Sequence, residues 1–264
     1  MLARAKAWLS HPLMRGLDLN DPATVERCRL LIQRKPSLRA IYHEWYTAIT
    51  RALPGGPGAV LEVGSGPGFL ADYVPGLITS EILASRGVRL SLDAAHLPFV
   101  PGALRAIVMT NVLHHLPQPR RFFTEAARSV RPGGAIVMIE PWVSRWSSLV
   151  YRRLHHEPFD PDATTWEFPV SGPLAGANGA LPWILFARDR SKFEAEFPEW
   201  RVTAIRPVMP FRYLLSGGVS LRSLTSKSTD GLWRRVERLM DPWMTHWAMF
   251  AEITLTRVDA ERRA

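Results

Sequence analysis

A single cysteine, Cys28, in 264 residues excludes an internal disulfide framework and suits a reducing compartment. No apolar run reaches the roughly 18–20 residues that a membrane-spanning helix needs. The basic opening stretch MLARAKAWLSHPLMR lacks an apolar centre of signal-peptide length. Together these absences lead to the expectation of a soluble, cytoplasmic protein. Internal repeats and low-complexity tracts are missing too. Lysine is scarce, so the formal net charge of +9 is carried mostly by arginine. Those arginines are scattered along the chain instead of forming a stripe interleaved with aromatics, which speaks against a nucleic-acid partner.

What the chain does have is the stretch VLEVGSGPG at residues 60–68. Ala59, Val60, Leu61 and Val63 make a short apolar run of the kind that forms a buried parallel strand. Glycines at 64, 66 and 68 then let the backbone turn sharply and come close to a ligand. A helix over 69–74 is expected next, with its first amides aimed at whatever lies over the loop. The spacing is not that of a dinucleotide fingerprint, because Phe69 follows Gly68 where G-x-G-x-x-G requires a different register. A Walker loop is excluded because no lysine follows Gly68.

The length suits one α/β domain with additions. Residues 1–57 read as helical. One helix opens at Asp21-Pro22 and runs toward Lys35; a second is capped by Ser37 and runs to Leu53, with Leu38, Ile41, Trp45, Ala48, Ile49 and Ala52 at helical spacing. Pro54 to Gly58 is a sharp break. Strands are expected near 59–63, 77–80, 88–92, 104–110, 134–139, 200–206 and 248–257. Helices are expected near 119–130 and 189–197, with a short turn near 81–86. Arg131-Pro132-Gly133-Gly134 ends one helix and starts the next strand. The alternation predicts a doubly wound, mostly parallel seven-stranded sheet, preceded by an N-terminal helical segment. Residues 58–264 form its domain, with cap insertions near 141–190 and 208–246.

Residues 62–68, EVGSGPG, resemble the first motif of class I S-adenosylmethionine-dependent methyltransferases. The resemblance extends over 60–140, about a third of the chain, and is nearest to the type 11 group that includes quinone-biosynthesis enzymes. It implies a Rossmann-like fold and S-adenosylmethionine as cofactor. Glu62, Gly64, Ser65, Gly66 and Gly68 would surround the methionine end. Glu81, at the end of the second strand, would bind the ribose hydroxyls, where the family more often has Asp. Asp93, in LDAAHLPF, would accept from the adenine amino group, and Ala94 would offer its amide to the ring. Asn111, at the end of the fourth strand, would touch cofactor or substrate. The family usually has Asp near the start of that strand, where this chain has Arg105.

The substrate side is less specific. His115, His155 and His156 are candidates for a general base, which a hydroxyl or phenol acceptor would need. His114 fits a packed structural role equally well. Glu140 ends the fifth strand and faces either the substrate or the loop. The run His155-His156-Glu157 invites a metal, but adjacent residues cannot all face one ion and no H-E-x-x-H helix is present, so no metal is expected. The aromatics of 141–190 fit an apolar pocket or a lid with its own core. Residues 42–46 fit packing or closure over the cofactor. Segment 208–246, with Phe211, Tyr213 and Trp233, fits either a second half of the cap or an amphipathic face touching a membrane. The expected acceptor is a small or lipid-like molecule. Alternatives are an RNA or protein methyltransferase and a catalytically silent cofactor-binding scaffold. The oligomeric state stays open.

Overall fold

Short apolar runs alternating with helices build one seven-stranded sheet in a computed structural model, which describes residues 11–14, 22–84, 87–154, 157–169 and 176–258. Asp21, His155 and His156 lie outside the described residues. The strands are β1 (Ala59–Val63), β2 (Ile78–Glu81), β3 (Leu90–Ser91), β4 (Leu104–Thr110), β5 (Val130–Pro141), β6 (Trp200–Val208) and β7 (Phe250–Arg257). Their order across the sheet is β3-β2-β1-β4-β5-β7-β6. The first five run parallel, and β7 lies antiparallel between β5 and β6. The fold is therefore the Rossmann-like, mostly parallel type. Among the described residues, no helix is long and apolar enough to cross a membrane.

Among the described residues, two α-helices precede the sheet: α1 (Pro22–Arg34) and α2 (Pro36–Ala52). The expected Ser37 cap is replaced by Pro36 at the first helical position, with Lys35 before it and no side-chain cap. Proline suits that place because its missing amide would have no helical partner. Leu38, Ile41, Trp45 and Ile49 are buried, as their spacing predicts. The Lys35 ammonium turns back and donates to the carbonyls of Gly218, at 2.7 Å, and of Leu221.

Three local readings are corrected. The helix expected over 69–74 is a single 3₁₀ turn, Leu70–Asp72, cut short by Pro75 and Gly76. The third strand is only two residues long. Residues 131–134 do not precede β5 but interrupt it. The pairing passes from Leu104–Val130 to Ala106–Ala135, so β5 carries an outward loop against a nearly straight β4. Arg131 uses that loop to reach the carbonyls of Gly55, at 2.6 Å, and Pro57, at 2.9 Å. Arg105 bonds the Pro54 carbonyl at 2.8 Å. Two arginines thus satisfy the Pro/Gly turn at the end of the sheet remote from the glycine loop.

After α3 (Pro119–Ser129) and β5, the first insertion begins with α4 (Arg145–Leu154) and ends before α5 (Arg190–Glu196). Its Trp142, Tyr151, Phe159 and Trp166 are buried in the same cluster as the sheet. The Trp166 indole donates to Asp189 at 2.9 Å, with the Arg120 guanidinium over its ring at 4.3 Å. The second insertion contains α6 (Arg212–Ser216) and α7 (Asp230–Leu239). Trp146 joins the two insertions, donating to the Pro210 carbonyl at 2.8 Å and packing on Phe211 and Trp247.

Arg212 fastens the second insertion to α2. Its guanidinium donates to Glu237 at 2.6 Å and to both oxygens of Glu44, at 2.9 and 2.5 Å. Glu237 also accepts the amides of Phe211 and Arg212. Arg212 and Glu237 are both buried, so removing one partner leaves an uncompensated charge. Arg212→Ala should lose about 3 kcal/mol of stability, read by urea denaturation. A loss below about 1 kcal/mol, the size of an exposed pair, would contradict this role.

Candidate functional site

The sheet order reverses between β1 and β4, so the loops leaving their carboxyl ends diverge and open a crevice. The glycine loop fills one side of it. The Ser65 amide donates to the Ser80 carbonyl at 2.9 Å, and the Ser80 amide returns a bond to Ser65 Oγ at 3.1 Å. Gly66 adopts φ +50°, a left-handed conformation that a side chain rarely takes, and its amide donates to the Glu81 carboxylate. Beyond that carboxylate, the outer side of Gly66 is nearly open. A Cβ on Gly68 would strike the Tyr46 hydroxyl, which accepts the Phe69 amide at 3.2 Å. The loop amides are thus held largely by the protein's own oxygens, and the helix start expected to present them is absent.

A cleft of about 230 Å³ lies against this loop. Glu62, Ser65 and Gly68 line it with Thr79 and Val88, while Arg29 and Gln33 of α1 form the facing wall. Arg29 reaches the Gly66 carbonyl at 3.5 Å, and its Nε is buried without a hydrogen-bond partner among the described residues. Burial pushes the Glu62 carboxyl up to about 7, against the pull of the Ser65 hydroxyl and with help from the nearby Glu81 charge. Glu81 is also raised by burial, opposed by its bond from the Gly66 amide.

Of the expected cofactor residues, Glu62, Ser65 and Gly68 line this cleft, whereas Gly64, Gly66, Glu81, Asp93, Ala94 and Asn111 do not. Asp93 is exposed and accepts the Ala95 amide at 2.9 Å, the turn-capping geometry of its residue type. Ala94 is buried. Asn111 follows β4 in the left-handed region, φ 58°, with its amide on the Ile139 carbonyl at 2.8 Å. That turn delivers the next residues to the same edge of the sheet, and Val112 packs against Gly64.

Beyond Asn111 lies a second polar group. Glu140 is fully buried and faces the loop. One oxygen accepts the Val112 and Leu113 amides, both at 2.8 Å, and the other bonds His114 Nδ1 at 2.7 Å. His114 Nε2 lies 3.6 Å from Glu157, and His115 Nε2 lies 3.9 Å from the other oxygen of Glu157. His115 Nδ1 bonds the Gly176 carbonyl at 3.2 Å. Burial opposes charge on His114, but Glu140 and Glu157 outweigh it and hold the ring up to about 9. His115 is pushed down to about 4 by burial and by the neighbouring His114 charge.

Several of these residues escape sequence reasoning. Arg29 and Gln33 are four apart on α1 and so share a face, but only the tertiary fold turns that face to the loop. Tyr46 reads as part of an apolar stripe, and nothing local marks its hydroxyl as an acceptor. Glu157 was legible as a polar residue beside His155 and His156, but its described partners come from another segment.

A family profile described as a methyltransferase domain matches residues 61–138. An uncharacterized methyltransferase of Mycobacterium sp. (strain JLS) is 34% identical over 113 residues, covering 38% of this chain and 44% of that one. The chain therefore spans under half the length of that relative. An uncharacterized methyltransferase of Mycobacteroides abscessus is 28% identical over 195 residues, 59% of this chain and 70% of its own. Among solved structures, geranyl diphosphate C-methyltransferase from Streptomyces coelicolor A3(2), in complex with Mg2+, geranyl diphosphate and S-adenosyl-L-homocysteine, gives a TM-score of 0.52 at 13% identity. That match covers 95% of this chain and 89% of the other, and it is a likeness of fold.

Glu62 supplies a test of the cleft's burial. Its folded value near 7 exceeds the roughly 4.3 of an unfolded glutamate. Folding therefore favours the protonated form. The associated stability is full below about pH 4 and is lost as the pH rises through about 7. Glu62→Gln does not titrate, so by about pH 8 it should be the more stable chain, by on the order of 2 kcal/mol. Thermal unfolding of both proteins between about pH 5 and pH 8 reads this difference; parallel profiles would count against it.

Proposed function

Because the chain belongs to the class I S-adenosylmethionine-dependent methyltransferases, we propose that it transfers a methyl group to a small-molecule or lipid-like acceptor. S-adenosylmethionine supplies a methyl group made electrophilic by its sulfonium. The observation that carries the reading is the Glu81 carboxylate, fixed by the Gly66 amide above the open side of the glycine loop. Glu81 binds the ribose hydroxyls through its acceptor oxygens. Glu62, Ser65 and Gly68, which line the cleft, shape the methionine end, and Gly64 and Gly66 supply the turns of the loop behind them. Two groups there favour the fit. Glu62 is a buried carboxyl that a cationic amine would ionise, and Arg29 Nε, without a hydrogen-bond partner among the described residues, is a donor suited to a carboxylate. Asp93 and Ala94 receive the adenine.

The acceptor side begins at Asn111 and His115, which leave β4 at the same edge. Aromatic density over the two insertions suits an apolar acceptor. Leu232, Leu239 and Trp243 are exposed on the second insertion, with Arg235 and Arg238 among them, and this face touches a membrane that delivers a lipid-like acceptor. Many arginines, including Arg105, Arg128, Arg131 and Arg212, are engaged by the protein's own carbonyls or carboxylates, which weakens the case for a nucleic-acid substrate. The reaction is assigned to the cytoplasm, in keeping with a single buried cysteine.

Calorimetry with S-adenosylhomocysteine tests the cofactor site. Glu81→Ala should weaken binding by about tenfold to a hundredfold, the value of one or two charge-assisted hydrogen bonds. Asp93→Ala should weaken it by about tenfold. Unchanged affinity in either variant would remove that residue from the site. Incubation with methyl-labelled cofactor should then place label in an organic-extractable fraction; label confined to RNA or protein would overturn the acceptor class.

A further inference from the structure

We propose that His114, His115 and Glu157 bind a divalent transition-metal ion of the zinc type. These side chains come from two separate segments, the turn Leu113–His115 after β4 and the loop after α4, and meet with their ligand atoms within 4.8 Å of one another. Glu157 presents one oxygen to each imidazole, 3.6 Å from His114 Nε2 and 3.9 Å from His115 Nε2. Ligands at about 2.0–2.2 Å from a tetrahedral ion stand roughly 3.4 Å apart. The two separations to Glu157 are slightly wider, the three ligand atoms together lie within 4.8 Å, and a bound ion would draw the half-buried Glu157 and His115 inward.

The outer contacts favour the ion more than the three ligands alone do. A metal-binding histidine nearly always donates its other ring N–H to a carboxylate or a carbonyl. Here both do. His114 Nδ1 is held by Glu140 at 2.7 Å, and that carboxylate, already accepting two backbone amides, can only accept again. His115 Nδ1 donates to the Gly176 carbonyl at 3.2 Å. Each ring therefore directs its Nε2 toward Glu157, and on His114 a bound ion would replace the Nε2 proton that Glu140 and Glu157 otherwise favour. Two nitrogens and a carboxylate suit zinc and its neighbours better than magnesium or calcium, which take oxygen sets. Three protein ligands leave a position open to water or another small oxygen ligand. Adjacent histidines face one point here because the tight turn brings their rings to 4.1 Å between centroids.

The test uses the full chain, stripped with a chelator and titrated with Zn2+ by calorimetry and with Co2+ by visible absorption. A single saturable equivalent is expected, with a Co2+ d–d band of four- or five-coordinate intensity. His115→Ala and Glu157→Gln should each weaken Zn2+ binding by on the order of 100-fold. Both side chains are partly exposed, so circular dichroism should show both variants folded; His114 is left intact because its loss would strand Glu140. His246→Ala, exposed on the short helix Met244–Trp247, should bind as the parent does. Failure of the parent to bind Zn2+ saturably would overturn the proposal. So would full binding by His115→Ala, or binding abolished by a His155→Ala/His156→Ala double variant while His115→Ala retains it.

Discussion

A carboxylate buried at the carboxyl end of a parallel strand must find donors, and in this sheet the donors are loop amides of the neighbouring strand. Glu81, closing β2, takes the Gly66 amide of the loop after β1. Glu140, near the end of β5, takes the Val112 and Leu113 amides of the loop after β4. Each strand thereby fixes the loop beside it, from opposite sides of the crevice. Gly64 against Val112 then presses the two loops together. Without these carboxylates the loop amides would need water, and the crevice would lose its defined edges.

The parallel part of the sheet was legible because buried strands read as short apolar runs, and β1 and β4 fall at the residues their patterns indicate. Lengths were less legible. Pro75 and Gly76 shorten the turn after the glycine loop, while the Arg131–Gly134 stretch reads as a break but is absorbed by β5 as an outward loop. Local propensity gives the same signal for a terminus and for a bulge; only pairing with β4 distinguishes them. Around the glycine loop, the glycines and Glu81 stand out by motif and position, and the bond from the Gly66 amide to Glu81 brings them together. Arg29, Tyr46 and Glu157 do not, since each acts on a loop distant in sequence.

The insertions show a second economy of the fold. Their aromatics are drawn into the sheet's own core, and Trp146, Phe211 and Trp247 bind one insertion to the other. Charge then orients them: Arg212 sits between Glu44 of α2 and Glu237 of α7, linking the amino-terminal helices to the second insertion. Lys35 does the same for the turn at Gly218 through carbonyls alone. The amino-terminal helices and the two insertions are consequently linked to one another by packing and by charge.

The placement of β7 bears on synthesis. This strand is the last of the seven along the chain, yet it lies inside the sheet, paired with β5 on one side and β6 on the other. While a ribosome is still making Phe250–Arg257, both partners have exposed edges, and Trp200 and Ile139 have no complete core to enter. Exposed edges of this kind attract other chains. The protein must therefore finish its sheet after translation has passed residue 257, whereas β1, β4 and β5 with their glutamate-braced loops are able to form well before then.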